Sequence, residues 1–172
     1  TEPSEETRAL YEKIQNDAIP LANGLTSQIQ SLPARARHNL PLRLTPFVGR
    51  EEEVEMISRY LLTDHHPIVS IVGEGGVGKT RLAIAVAKQI VEGTVAHPFS
   101  AGCWFISCGG IDAGESARQQ LIISIGATIG MPFQGANPIF EQLANYLANK
   151  TMLLVIDSVE HLSDQLDIFW SL

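Results

Sequence analysis

A glycine loop held between a strand-like run and a helical repeat constrains this chain more than any other feature. Gly73-Glu-Gly-Gly-Val-Gly-Lys79-Thr80 fits the pattern G-x-x-x-x-G-K-[ST]. Before it, His66-Pro-Ile-Val-Ser-Ile-Val72 is a β-branched apolar run that reads as a buried strand. After it, Arg81 to Val91 sets Leu82, Val86 and Ile90 at helical spacing. A polyphosphate needs several N–H donors converging on it, and side chains on the loop would block that approach. Gly73, Gly75, Gly76 and Gly78 let the backbone close round phosphates, with Val77 and Arg81 completing the cradle. The first turn of the helix adds free N–H groups and a partial positive charge. In this pattern Lys79 reaches the β- and γ-phosphates, and the Thr80 hydroxyl is a ligand for Mg²⁺.

The rest of the chain alternates in the same way. Glu51 to Leu62 carries Val54, Ile57 and Leu61 at helical spacing, and Gly102 to Ser107 reads as a second strand. A helix is expected over Ala113 to Ile129 and another over Ile139 to Asn149, the latter turning Phe140, Leu143 and Leu147 inward. Thr151 to Ile156 is the third apolar run. Strands alternating with helices, each strand apolar on both faces, indicate an α/β fold: three layers, α/β/α, around a parallel sheet. Of 172 residues, 45% are apolar, enough for one core, and the net charge of −7 argues against binding nucleic acid through an overall field. No apolar run approaches a membrane span. Cys103 and Cys108 are an odd number of positions apart, so on a strand they face opposite ways; unbridged thiols in a cytoplasmic protein are expected.

Met152-Leu-Leu-Val-Ile-Asp157 ends an apolar run in an acid. A carboxylate delivered there, roughly 80 residues after the glycine loop, suits the metal side of a phosphate site, with Asp157 holding Mg²⁺. Glu160, three residues on, is placed to orient or activate water. Either acid also suits a simpler role, capping a helix or favouring its positive end. The histidines, His161 among them, show no metal-ligand spacing and read as surface or packing residues.

Phe47-Val-Gly-Arg-Glu51, the glycine loop through Ala83, Gly102-Cys-Trp-Phe-Ile106 and Leu153 to Leu162 follow one another as in a known family. In that order and spacing the chain resembles the STAND-class signal-transduction ATPases, with their NB-ARC/AAA-like P-loop domain. It is most similar to the large bacterial ATP-binding transcriptional regulators of the LuxR and antibiotic-regulatory-protein (AfsR-like) types. Asp157, Glu160, His161 and Leu162 keep their D-x-x-E-H-L signature. The resemblance implies that Phe47, Val48, Gly49 and Arg50 line the adenine and ribose side. It also implies that Lys79 and Glu160 serve catalysis and that Thr80 and Asp157 hold Mg²⁺, with ATP or ADP as ligand.

It further implies three parts: residues 1–19 as the last helix of a helical activator domain, 20–43 as a linker, and 44–172 as the N-terminal part of the ATPase domain. Sensor, winged-helix, repeat and DNA-binding domains would lie outside this sequence. So would the later strands of the sheet, since the chain stops in mid-pattern at Phe169-Trp-Ser-Leu172. Weak or no hydrolysis by this segment alone is expected, as is exposure of Phe169 and Trp170 as an apolar patch for self-association. The function expected is a slow, Mg-dependent ATP/ADP switch in a transcriptional regulator. A small P-loop kinase or a partition-type ATPase are the alternatives. The basic residues after Thr80 form no acceptor clamp, and Glu74 stands where partition ATPases carry lysine.

Overall fold

The computed structural model describes residues 37–42, 47–93 and 97–170, leaving out the side chain of Trp170. The helix and most of the linker expected before residue 37 lie outside those residues. Two parallel strands, β1 (Cys103–Ser107) and β2 (Leu153–Asp157), run in register from Cys103 opposite Leu153 to Ser107 opposite Asp157. Four helices among the described residues surround them: α1 (Glu51–Leu62), α2 (Lys79–Glu92), α3 (Ala117–Thr128) and α4 (Ile139–Leu147). A 3₁₀ segment, Glu160–Trp170, follows β2 and is interrupted at Leu162.

The two-residue period of the strands sorts the core into halves. Cys103, Phe105, Leu153 and Val155 pack with Val54 and Ile57 of α1 and Leu82, Val86 and Ile90 of α2. Trp104, Ile106, Leu154 and Ile156 pack on the opposite side with Leu121 and Ile125 of α3, Leu143 of α4, and Leu162 and Ile168 of the 3₁₀ segment. Helices thus cover both faces of a parallel sheet, an α/β arrangement. The same parity separates the cysteines: both are buried and free, Cys103 in one half of the core and Cys108 in the other.

Several expectations need correction. The run from His66 to Val72 joins no sheet among the described residues, whose strands are β1 and β2. Val69 and Ile71 rest against the α1–α2 core while Ser70 and Val72 are exposed, so the run is half-buried rather than buried on both faces. A strand is defined by the backbone of its neighbour, and among the described residues no strand pairs with this run. Helix α3 begins at Ala117 rather than Ala113, because Gly114 sits at φ 153, far from helical geometry. Phe169 is not exposed. It is half-buried against the core that Ile168 enters.

The end of the expected linker is also part of the packed body. Cys103 N donates to the Arg37 carbonyl at 2.9 Å, and His38 forms a parallel bridge with Cys103. The Asn39 side chain takes both backbone groups of Phe105, accepting from N at 2.6 Å and donating to O at 2.9 Å. Leu40 is buried in the α1–α2 core. An open strand edge leaves unpaired N–H and C=O groups, and this segment satisfies Cys103 N and both backbone groups of Phe105 on β1.

Candidate functional site

The glycine loop takes the shape its residues allow. Gly76 at φ 81 and Gly78 at φ 88 are left-handed, a conformation that costs a side-chain-bearing residue about 1–2 kcal/mol. Gly78 caps α2, and the first helical bond runs from Leu82 N to Gly78 O at 2.9 Å. No side chain caps this end, so the leading N–H groups of α2 remain directed at the loop. Lys79 folds back inside it, donating to the Gly73 and Glu74 carbonyls at 2.9 Å each. The lysine is thus held at the start of the loop by two consecutive carbonyls.

Strand parity places the second element. Asp157 follows Leu153 and Val155 on the α2 side of β2, and Thr80 stands in the first turn of α2. Thr80 Oγ1 donates to Asp157 Oδ1 at 2.6 Å, joining residues 77 apart in a part-buried setting. Ser158 Oγ lies 3.4 Å from the other Asp157 oxygen. Two oxygen donors side by side at the mouth of a glycine loop form a donor set suited to a hard divalent cation.

A third element approaches from the start of α1. Gly49 at φ 79 and Arg50 at φ 65 are both left-handed, and Gly49 N is capped by Glu51 Oε1 at 3.0 Å. This turn aims Arg50 at the loop, where its guanidinium donates to the Val77 carbonyl at 3.2 Å. Its Nε bonds Glu53 Oε1 at 2.9 Å, and the guanidinium holds that carboxyl below its ordinary pKa. The Arg81 guanidinium lies 6.0 Å from the Phe47 ring centre, close enough for cation–π attraction. Val48 is 83% exposed beside them.

Of the site residues expected from the sequence, three sets are brought together and two residues stand apart. Lys79 with the glycines, Thr80 with Asp157, and Arg50 with Val77 are brought together; Glu160 is exposed at the start of the 3₁₀ segment, and Val48 is exposed on its turn. Sequence reasoning missed two contacts. One is the Arg50–Val77 bond, for which a basic residue next to glycine before an acidic helix start is a weak signal. The other is His161, whose Nε2 lies 2.7 Å from the Ile111 carbonyl, 50 residues away, a pairing that no local pattern announces.

Residues 46–168 match the AAA ATPase domain family. An uncharacterized protein of Mycobacterium tuberculosis is 31% identical over 150 residues, covering 87% of this chain and 35% of its own length. The transcription activator GutR of Bacillus subtilis is 30% identical over 132 residues, 72% of this chain and 15% of GutR. The chaperone protein ClpB of Meiothermus ruber is 33% identical over 101 residues, 56% of this chain and 12% of ClpB. The chain therefore spans 35% or less of the length of these relatives. No solved structure matches. No helix among the described residues is long and apolar enough to cross a membrane.

Proposed function

The chain belongs to the AAA ATPase domain family, and on that premise we propose that it is a nucleotide switch of the STAND class within a bacterial transcriptional regulator. ATP or ADP would bind with Mg²⁺, and slow hydrolysis in the whole protein would reset the switch. The single observation that carries this reading is the 2.6 Å bond between Thr80 and Asp157. It joins the glycine loop to the acidic strand end, the two halves that a phosphate–metal site requires. The likeness to GutR, a transcription activator, favours a regulator, whereas the likeness to ClpB shows that the domain also serves other proteins.

In this reading a bound Mg²⁺ would supply positive charge at the phosphates of the nucleotide. Thr80 and Asp157 hold it through oxygen. Lys79 leaves the Gly73 and Glu74 carbonyls and turns to the phosphates, while Gly73 to Gly78 offer their N–H groups. Val48, Gly49 and Arg50 take the adenine and ribose side, and Glu160 serves as the water-side acid. Residues 1–19 and 20–43 are proposed as the end of an activator domain and its linker, with sensor, winged-helix and DNA-binding domains elsewhere in the protein. Nucleotide occupancy biases the regulator because the γ-phosphate and metal make contacts only one state can offer.

Fluorescent ADP and ATP titrations on the purified protein, with and without Mg²⁺, test this. Binding should strengthen with Mg²⁺ and weaken about 10- to 100-fold in Lys79→Ala, the loss of charge-assisted bonds to phosphate. Equal affinity in wild type and Lys79→Ala would sink the proposal. A screen of small-molecule phosphate acceptors that found rapid transfer would favour the kinase instead.

A further inference from the structure

The residues from Asp157 to Leu162 leave β2 in four directions. Asp157 turns to Thr80, Glu160 to solvent, His161 to the β1–α3 loop, and Leu162 into the core. Ser158 makes the divergence possible by adopting φ 60, a left-handed conformation unusual for a residue with a side chain. Leu162, 1% exposed, closes the turn by donating its N–H to the Val159 carbonyl at 2.9 Å.

The loop that His161 reaches is itself tied to the acidic strand end. Cys108 N donates to the Asp157 carbonyl at 2.9 Å, and Ile111 N donates to the Cys108 carbonyl at 3.0 Å. The Ile111 carbonyl then accepts from His161 Nε2 at 2.7 Å. These three bonds form a circuit from Asp157 through the Cys108–Ile111 turn and back to the residue after Glu160. Gly109 fits against Ser158 inside it, where an added Cβ would lie 3.7 Å from the Ser158 Cβ. Because a carbonyl only accepts, the bond requires a proton on Nε2. Glu160 lies between the two ends of this circuit, Asp157 and His161, and buried Leu162 follows directly, so its backbone is held although its side chain is exposed.

We propose that His161 is a positioning residue, holding the Glu160 turn in register with Asp157 by clasping the Ile111 carbonyl. The inference rests on Glu160 as the water-side acid. The physical warrant is that an exposed carboxylate gains accuracy only from its backbone, and a displacement of about 1 Å can cost about 100-fold in rate.

The test uses the full-length protein with His161→Ala, His161→Gln, Glu160→Gln and the double variant Glu160→Gln/His161→Ala. Turnover, Mg·ADP affinity and amide exchange across 108–112 are measured. His161→Ala should lower kcat roughly tenfold or more, leave ADP affinity near wild type and speed exchange in the loop. Glutamine, whose Nε2 can reach the same carbonyl, should restore most of both. In the Glu160→Gln background the alanine change should cost nothing further. Unchanged kcat in His161→Ala, failure of glutamine to rescue a folded protein, or additive losses in the double variant would each overturn the positioning role alone. Wild-type turnover in Glu160→Gln, or no measurable hydrolysis by wild type, would overturn the Glu160 reading and this inference with it. If His161→Ala fails to fold, His161→Asn, too short to reach the carbonyl, replaces it and is judged by the same outcomes.

Discussion

Removing the Thr80 hydroxyl should cost stability through one identified partner. Thr80→Val keeps the branched shape but deletes the donor that Asp157 Oδ1 accepts at 2.6 Å. That length falls within the range for O–H donors to carboxylates. Hydrogen bonds to charged groups contribute about 1.5–3 kcal/mol. Both residues are only half-buried, so water can replace part of the bond, and the lower figure of about 1.5 kcal/mol applies. That corresponds to about tenfold in the folded-to-unfolded ratio and about 3–6 °C in Tm for a protein of this size. Urea unfolding of wild type, Thr80→Val, Asp157→Ala and the double variant, without nucleotide, gives the coupling energy directly. A coupling near 1 kcal/mol or above is expected, since each single change already removes the bond. Additivity within about 0.5 kcal/mol would refute the claim that the two groups are bonded in the ligand-free protein. Mg²⁺-dependent tightening of ADP binding should vanish in Thr80→Val, because the same oxygen is assigned to the cation.

Gly126→Ala sets two effects against each other. Alanine gains about 1 kcal/mol of helix propensity, but its Cβ would lie 2.5 Å from Cε2 and Cζ of Phe133, whose ring packs on the core. Overpacking costs about 1–3 kcal/mol, so a net loss is expected in thermal unfolding, relieved by Phe133→Leu; a more stable Gly126→Ala would contradict this. The buried thiols supply a pH dependence. Burial pushes Cys103 up to about 12, and burial aided by the Asp157 charge pushes Cys108 up to about 11, from an ordinary 9.0. Above pH 9 the unfolded chain loses thiol protons that the folded one keeps, so this contribution is intact below pH 9 and is lost as pH rises toward 11–12. Urea midpoints should therefore fall less steeply in alkali for Cys103→Ala/Cys108→Ala than for wild type, and identical slopes would rule the thiols out.

What the sequence determined by itself is everything encoded at short range. Four glycines with Lys79 and Thr80 specify the loop, because backbone freedom and the helix start are properties of neighbouring residues. Leu82, Val86 and Ile90 specify the buried face of α2, and all three are buried. The acid ending an apolar run specifies Asp157 at the exit of β2. Tertiary structure decided what those pieces meet. Asn39 finds Phe105 across 66 residues, and His161 finds Ile111 across 50. No period of 2 or 3.6 residues reports such pairings, since they depend on which strand edges and helix ends the whole chain brings side by side. The run from His66 to Val72 shows the same limit from the other side. Its β-branched residues suit a strand, yet a strand exists only where another backbone completes its hydrogen bonds, and propensity cannot supply that partner.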